Sequence, residues 1–293
     1  MVFFPHPFLY VPFGLRKQRK LAIPVGSPWE VKPVTKRVTF AEAIFLPNRD
    51  DPKGHDTWVV IDLLSFHGPV SVEHASFDSK VLLLSARFHS GANFDDARFG
   101  TSALFGFADW NSDLPSWPEY SLSSPVTRHL KPAIFGGKTS FRRVRFEGSV
   151  TFYGCQFNEV DFSEAQFSEG ADFMGTEFNA KAIFQQASFE KGVRFGLGDV
   201  EWVGANGLFV GDADFSGVRF RGAANFRGDK FHEDINRIGS TAWQLLSNFR
   251  WRWSDYRPGP FGGTADFTKA QFDQSAEFSG AHLKSSTFAI VGQ

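Results

Sequence analysis

Residues 171–195 read ADFMGTEFNAKAIFQQASFEKGVRF, and phenylalanine recurs through this stretch at a nearly constant interval. The phenylalanines are Phe173, Phe178, Phe184, Phe189 and Phe195, so the steps are five, six, five and six residues. An amphipathic helix repeats its apolar positions about every 3.6 residues, and a half-buried strand repeats them about every 2 residues. The stretch therefore predicts a different repeated unit, five or six residues long.

The same spacing covers most of the chain. With the apolar residue of each unit as its centre, 29 centres fall in four blocks, from Phe77 to Phe105, Phe135 to Phe195, Phe209 to Phe231 and Phe261 to Phe288. The residue two before the centre is Ala in 16 units, Val in six, and short in all but one unit, where it is Asp229. Residues i and i+2 of an extended segment share a face, so both positions point inwards. Each unit is therefore predicted to be one short strand and one corner.

The stretches GANFDDARF (residues 91–99) and AEFSGAHLKSSTF (residues 276–288) show this pattern clearly. The pattern resembles the pentapeptide-repeat family, and the resemblance covers roughly residues 75–288 apart from two insertions. It implies an all-β fold, a right-handed quadrilateral β-helix with four repeats in each coil. Two departures from the family pattern are Phe at nearly every centre and a frequent sixth residue. We interpret the sixth residue as a bulge-like insertion at a corner, where Gly tolerates unusual backbone angles.

We divide the chain into six segments on this basis. Trp243, Leu246 and Trp253 recur at helical spacing, which predicts a short amphipathic helix in the second insertion. The segments are a basic and aromatic N-terminal arm or cap (1–37), first solenoid coils that are degenerate at their start (38–105), a loop insertion (106–134), the main solenoid (135–231), a helical insertion (232–260), and the last coils with the C-terminus (261–293).

Several features of the sequence argue against catalysis. The only cysteine, Cys155, stands in the short inward position before Phe157, which predicts an inert core residue. His67 and His74 could approach each other across a coil, but their spacing specifies no metal. No phosphate-binding loop or nucleophile motif occurs, and an interior packed with Phe leaves no apolar pocket. We therefore predict a protein that is not an enzyme and uses no cofactor or metal.

An acidic run is the first candidate binding surface. Between Phe146 and Ala180 the chain has no Lys or Arg and seven acidic residues, which are Glu147, Glu159, Asp161, Glu164, Glu169, Asp172 and Glu177. Some pentapeptide-repeat proteins resemble duplex DNA and act on DNA gyrase, so the resemblance implies a DNA-mimicking modulator of gyrase or topoisomerase as one hypothesis. A rod of about 35 Å would need about 20 net negative charges to match DNA. The chain has a net charge of -1 and residues 1–37 carry +6, so the rest carries only -7. The alternative is an ordinary solvated surface.

Two other segments carry exposed charge beside aromatic residues. Arg16, Lys17, Arg19 and Lys20 follow an aromatic, proline-rich head, and this arm is interpreted either as a cap on the first coil or as a weak contact with an anionic membrane surface or a partner. The Trp- and Arg-rich residues 243–257 could stack on bases or sugars, or could pack against the solenoid. The N-terminal segment lacks the order of a secretory signal, so a cytoplasmic location is expected.

These observations favour a non-catalytic scaffold for protein–protein interaction. The alternatives are the gyrase-directed DNA mimic and a scaffold that associates with a membrane surface through the arm. The balanced charge predicts no direct binding of nucleic acid. The identity of the protein partner is left open, and so is dimerisation through the ends of the solenoid.

Overall fold

The computed structural model describes residues 9–10, 32–34, 38–39, 44–45, 58–61, 64–83, 85–106, 132–196, 208–227, 261–278 and 286–289. Within these residues every regular element is a β-strand, and the strands pair in parallel with one exception. They build a solenoid whose coils have four sides, here called faces 1 to 4 in chain order. No helix in this part of the chain could cross a membrane.

Faces 1 and 2 form one 14-stranded sheet, because two strands continue around the corner between them. These two strands are Ile134–Ser140 and Gln156–Asp161. The other strands of face 1 are Lys32–Val34, Leu64–Phe66, Arg87–Phe88, Glu177–Phe178 and Leu208–Phe209. The other strands of face 2 are Val38–Thr39, Val70–Ser71, Ala92–Asn93, Ala182–Ile183, Ala213–Asp214, Ala265–Thr268 and Ser286–Ala289.

Faces 3 and 4 are separate sheets of eight and nine strands. Face 3 consists of Ile44–Phe45, Ser76–Phe77, Arg98–Phe99, Arg145–Phe146, Gln166–Phe167, Ser188–Phe189, Arg219–Phe220 and Gln271–Phe272. Face 4 consists of Leu9–Tyr10, Trp58–Ile61, Lys80–Leu82, Ala103–Leu104, Val150–Thr151, Ala171–Asp172, Val193–Arg194, Ala224–Asn225 and Ala276–Glu277.

Eight coils follow from these strands. Coil 1 holds the strands between residues 32 and 61, and coils 2 to 8 are defined by the centres of their four faces. These centres run from Phe66 to Leu83, Phe88 to Phe105, Phe135 to Phe152, Phe157 to Phe173, Phe178 to Phe195, Phe209 to Phe226 and Phe261 to Phe278. The four-sided β-helix expected from the sequence is therefore confirmed.

The interior consists of four ladders of phenylalanine rings, one behind each face. Along face 2, for example, Phe94, Phe141, Phe162, Phe184 and Phe215 stack with centroids 4.6 to 5.0 Å apart. Rings on faces 1 and 2 meet edge-on, as do rings on faces 3 and 4, whereas rings on faces 2 and 3 are tilted, as Phe141 and Phe146 are at 43°. Stacked and T-shaped contacts are the arrangements that aromatic quadrupoles favour. Short residues two before a centre, such as Ala165 and Ala187, are also buried.

The sixth residues have fixed places in the coil. In coils 2 to 8 the chain takes six residues from face 3 to face 4, and six from face 1 to face 2 except between Phe157 and Phe162. It takes five residues from face 2 to face 3. In each of these coils, the residue two positions after the face 2 centre has a positive φ. These corner residues are His74, Asp96, Arg143, Glu164, Gln186, Gly217 and Lys269. A typical coil is therefore 22 residues long, as from Phe77 to Phe99.

The N-terminal end of the solenoid differs from the middle. In coil 2, Val72 and Leu83 stand where the later coils have Phe, and a cavity of about 10 Å³ lies beside them. Lys32–Val34 extends the parallel pairing of face 1 upstream of residue 38, and Leu9–Tyr10 pairs antiparallel with Trp58–Ile61 at the edge of face 4. The predicted helical insertion lies outside the described residues.

Candidate interaction surface

The described residues contain neither a cluster of metal-ligating side chains nor an exposed thiol. They contain no group of three or more His, Cys, Asp or Glu side chains that could hold a metal ion. Cys155 is completely buried, and burial raises the pKa of its thiol well above the ordinary range, so the thiolate needed for reaction is suppressed. The remaining predicted site residues lie on the outside of the rod or beyond the described residues.

The seven acidic residues do not form one face. A coil is about 22 residues long, so a run of 31 residues winds around all four sides of the rod. Asp172 lies on face 4, Asp161 on face 2 and Glu177 on face 1. The other four, Glu147, Glu159, Glu164 and Glu169, lie on three different corners. A partner that contacts one side of the rod would therefore meet only one or two of these carboxylates.

Four of the seven carboxylates are also paired with cations of neighbouring coils. Each pair joins two successive coils, which brings opposite charges from distant parts of the sequence together. The pairs are Glu147 with Arg98 at 2.6 Å, Glu159 with Lys138 at 2.8 Å, Asp161 with Arg142 at 3.9 Å, and Asp172 with Arg194 at 2.5 Å. The pairs of Glu147 and Glu159 are exposed and add little stability, whereas Asp161 and Asp172 are only 15% and 16% exposed. In all four pairs a cation offsets the negative charge of the carboxylate.

Asp161 and Asp172 have a further structural role that sequence reasoning missed. The carboxylate of Asp161 accepts a hydrogen bond from the backbone N–H of Ser163, and Asp172 accepts one from Met174. Asn93, Asp214, Asn225 and Asp266 make the same bond to the second residue after them. All six residues directly precede a central Phe on face 2 or face 4. The short corners of the coil, with a step of five residues between centres, follow these two faces. Asp or Asn directly before a central Phe is thus the sequence signature of a five-residue corner.

Face 4 carries buried apolar residues on its outer side. Leu82 and Leu104 precede their centres and so point away from the interior, yet they are 0% and 3% exposed. Met174 stands on the corner after face 4 and is 8% exposed. None of the three belongs to the central apolar core. Face 4 and the corner that follows it therefore carry buried apolar side chains outside the central core.

Ionisable groups around the same corner are drawn out of water. Burial raises the pKa of Tyr153 to about 12, and it also raises the pKa of Asp172 even though the Arg194 guanidinium opposes this shift. Burial raises the pKa of Glu177 on adjacent face 1, although Gln156 donates a hydrogen bond to it at 3.1 Å. Tyr153, Asp172 and Glu177 are therefore shielded from water, as Leu82 and Leu104 are.

Three long connections leave the solenoid at this same corner between faces 4 and 1. The chain departs after Gly106, Gly196 and Arg227 and returns at Pro132, Leu208 and Phe261. A Cβ atom at Gly106 would lie 2.2 Å from the backbone of Tyr153, and one at Gly196 would lie 2.1 Å from that of Arg227. Glycine is therefore required at both exits. We call this corner, with its three connections, the insertion edge.

The remaining predicted binding residues lie outside the described part of the chain. This applies to Arg16, Lys17, Arg19 and Lys20, and to the Trp- and Arg-rich residues 243–257. The described strand that is nearest to the basic cluster in sequence is Leu9–Tyr10, which pairs with the edge strand of face 4.

Comparison with known proteins agrees with this architecture. The sequence model described as pentapeptide repeats (9 copies) matches residues 133–173, which form coil 4 and most of coil 5. No curated protein matches the chain. The match shows pentapeptide repeats in these coils, and the same phenylalanine ladders continue from them through the described coils on both sides.

Proposed function

We propose that this pentapeptide-repeat β-helix is a non-catalytic scaffold for protein–protein interaction, and that its partner binds along the insertion edge. The observation that carries the proposal is the departure of all three connections from one corner of the rod. Because successive coils stack about 4.8 Å apart, the exits lie in a line along one edge. A rigid solenoid would hold the three segments in a fixed order and spacing.

The composition of the connections supports a binding role. The chain has eight tryptophans, and six of them fall in residues 107–131, 197–207 and 228–260. These six are Trp110, Trp117, Trp202, Trp243, Trp251 and Trp253. The coils use Phe for their interior and contain no Trp between Phe66 and Phe278 outside these segments. Trp is enriched among the residues that dominate binding energy at protein interfaces.

The two alternative functions have less support. A DNA mimic needs a continuous acidic surface, whereas the acidic residues here are distributed around the rod and four of them are paired with cations. A membrane contact through the arm would involve the segment whose strand Leu9–Tyr10 pairs with the solenoid, an arrangement that favours a cap. The cytoplasmic location stays a prediction from the sequence.

The proposal can be tested by replacing each connection with a five-residue corner. Deleting residues 107–131 and changing Pro132→Gly leaves Phe105 and Phe135 five residues apart, as Phe152 and Phe157 are. Deleting residues 197–205 leaves Phe195-Gly-Asn-Gly-Leu-Phe209, and deleting residues 229–258 likewise restores the five-residue step from Phe226 to Phe261. Gly and Asn tolerate the positive φ that this corner requires.

Binding partners of the full chain and of the triple replacement would be compared by pull-down and mass spectrometry. We expect the replacement to remain folded by circular dichroism and to lose its specific partner. The control is the double variant Glu164→Gln and Glu169→Gln, which changes corners away from the insertion edge and should retain the partner. If the folded replacement keeps its partner, binding is on the faces and the proposal fails. If gyrase subunits are recovered only without the glutamine substitutions, the DNA mimic is the better account.

A further inference from the structure

Two histidines stack on the outside of the solenoid at its N-terminal end. His67 and His89 occupy equivalent positions of coils 2 and 3, directly after the face 1 centres, and both are exposed. Their rings lie with centroids 4.3 Å apart and planes 16° from parallel. The sequence also allows a contact of His67 with His74 across a coil. The structure instead places His67 against His89, because equivalent positions of successive coils are neighbours.

Both rings share one polar partner. Ser65 Oγ lies 2.8 Å from Nε2 of His89 and 3.4 Å from Nε2 of His67. A neutral imidazole nitrogen can accept a hydrogen bond from this hydroxyl, whereas a protonated one can only donate. When both rings are protonated, the hydroxyl can accept from them but can no longer donate to either, and two positive charges lie face to face.

No described carboxylate compensates these charges. Arg87, on the strand that leads into His89, adds a third positive charge. Lys138 stands on the same corner of coil 4 and is paired with Glu159 at 2.8 Å. The carboxylate of Glu73, beyond face 2, accepts hydrogen bonds from Ser71 and Asn93. Neither ring has an ion pair with a carboxylate in the described coils.

We propose that the stacked pair His67 and His89 is an acid-sensitive contact, which holds coils 2 and 3 together when neutral and weakens their junction when protonated. The junction is a suitable place for such a contact, because coil 2 has Val72 and Leu83 at two centres and a cavity beside them. Coil 1 and the strand Leu9–Tyr10 lie beyond coil 2, so a weaker junction loosens the whole N-terminal end.

The direction of the pH effect follows from linkage. Burial, His67 and Arg87 together lower the pKa of His89 below its ordinary value. As the pH falls through about 6.5, the unfolded chain therefore takes up a proton at this position before the folded chain does. The free energy of unfolding is highest above this pH and decreases as the pH falls towards the folded pKa.

Hydrogen exchange of the full chain tests the proposal. The double variant His67→Asn and His89→Asn is the natural replacement, because Asn158 and Asn179 stand at the same position in coils 5 and 6. We expect amides of residues 64–91 to lose protection in the wild type between about pH 7.5 and about pH 5, by roughly tenfold more than in the variant. Equal losses in the two proteins would overturn the proposal.

A matched control separates this effect from general acid loosening. His74 is exposed on another corner of coil 2, and its Nδ1 lies 3.9 Å from Asp96, so its protonation adds an attraction. His74→Asn should therefore leave the acid response of residues 64–91 in place. If this substitution abolishes the response as the double variant does, the stacked pair is not its origin. An NMR titration of the His89 ring is independent of any variant, and a pKa of this ring at or above the ordinary histidine value would also contradict the proposal.

Discussion

Phe178 and Phe209 are 31 residues apart in the chain, yet their rings stack with centroids 4.4 Å apart and planes 6° from parallel. The connection 197–207 lies between them in sequence and leaves the ladder undisturbed. Phe178 also stacks on Phe157 of the preceding coil and is completely buried. Phe178 therefore packs against the coil before it and the coil after it, and such stacking holds successive coils together.

The first prediction concerns this ring. Phe178→Ala should lower the free energy of unfolding by about 3–5 kcal/mol, because it removes buried apolar surface and leaves a cavity between two rigid coils. Urea denaturation followed by circular dichroism measures the change. Asn179→Ala is the control, because this neighbouring side chain is exposed. If Phe178→Ala lowers the free energy of unfolding by less than about 1 kcal/mol, either the surrounding residues fill the cavity or the ring is not essential to the ladder.

Two threonines in equivalent inward positions give the second prediction. Thr139 and Thr176 each stand two residues before a Phe and are 0% exposed, but only Thr176 donates its hydroxyl to a backbone carbonyl, that of Phe152 at 2.8 Å. Within the described coils, the Thr139 hydroxyl has no hydrogen-bond partner. Val is common at this position, so it fits the space.

Thr139→Val should therefore raise the free energy of unfolding by about 1 kcal/mol, since it removes an unsatisfied buried hydroxyl. Thr176→Val should lower it by about the same amount, because it leaves the Phe152 carbonyl without its donor. Thermal unfolding of the two variants side by side measures both effects. The same sign for both substitutions would contradict the hydrogen-bond assignment.

The sequence predicted the interior of this fold because the interior is governed by a single rule. A ring at every centre and a short residue two positions earlier are enough to define inward-facing strands, and the ladders follow from stacking them. Phe231, the one centre preceded by Asp at the short position, lies outside the described residues. In the described coils Phe261 stacks on Phe209, with ring centroids 5.1 Å apart.

The outer surface could not be predicted in the same way. Residues that are neighbours on the surface of a solenoid belong to successive coils and are about 22 residues apart in sequence. The acidic residues of the run 147–177 therefore contact residues of the preceding and following coils. Arg98 and Glu147 are 49 residues apart in the chain and meet because their face 3 strands pair in successive coils, which depends on the assignment of each unit to a face. The stacking of His67 on His89 and the burial of Leu82 likewise depend on the observed register.

The third prediction concerns the close approach of successive corners. A Cβ atom at Gly222 would lie 2.2 Å from the backbone carbon of Lys191, whereas one at Gly170 would have its nearest neighbour at 3.9 Å. Gly222→Ala should therefore lower the free energy of unfolding by about 1–3 kcal/mol through overpacking, and Gly170→Ala should be close to neutral. Urea denaturation of the two variants measures the difference. Equal effects would mean that the corner at Gly222 shifts freely and that coil spacing is not set there.

The fourth prediction tests the aspartate signature of the five-residue corner. Asp266 accepts a hydrogen bond from the backbone N–H of Thr268 at 2.8 Å, with no ion pair recorded for it in the described coils. Asp266→Ala should lower the free energy of unfolding by about 1–2 kcal/mol, because the N–H loses its acceptor. Asp266→Asn should be nearly neutral, since the amide oxygen can accept the same bond and Asn93 and Asn225 do so elsewhere.

The matched control for this prediction is Gln271→Ala on face 3. Gln271 also precedes a central Phe and is exposed, but it is followed by a six-residue corner that needs no such acceptor. Its replacement should leave stability unchanged in the same urea denaturation. If Asn and Ala at position 266 were equally destabilising, the negative charge and not the acceptor would be what the corner requires, and the Asp or Asn signature would need a different explanation.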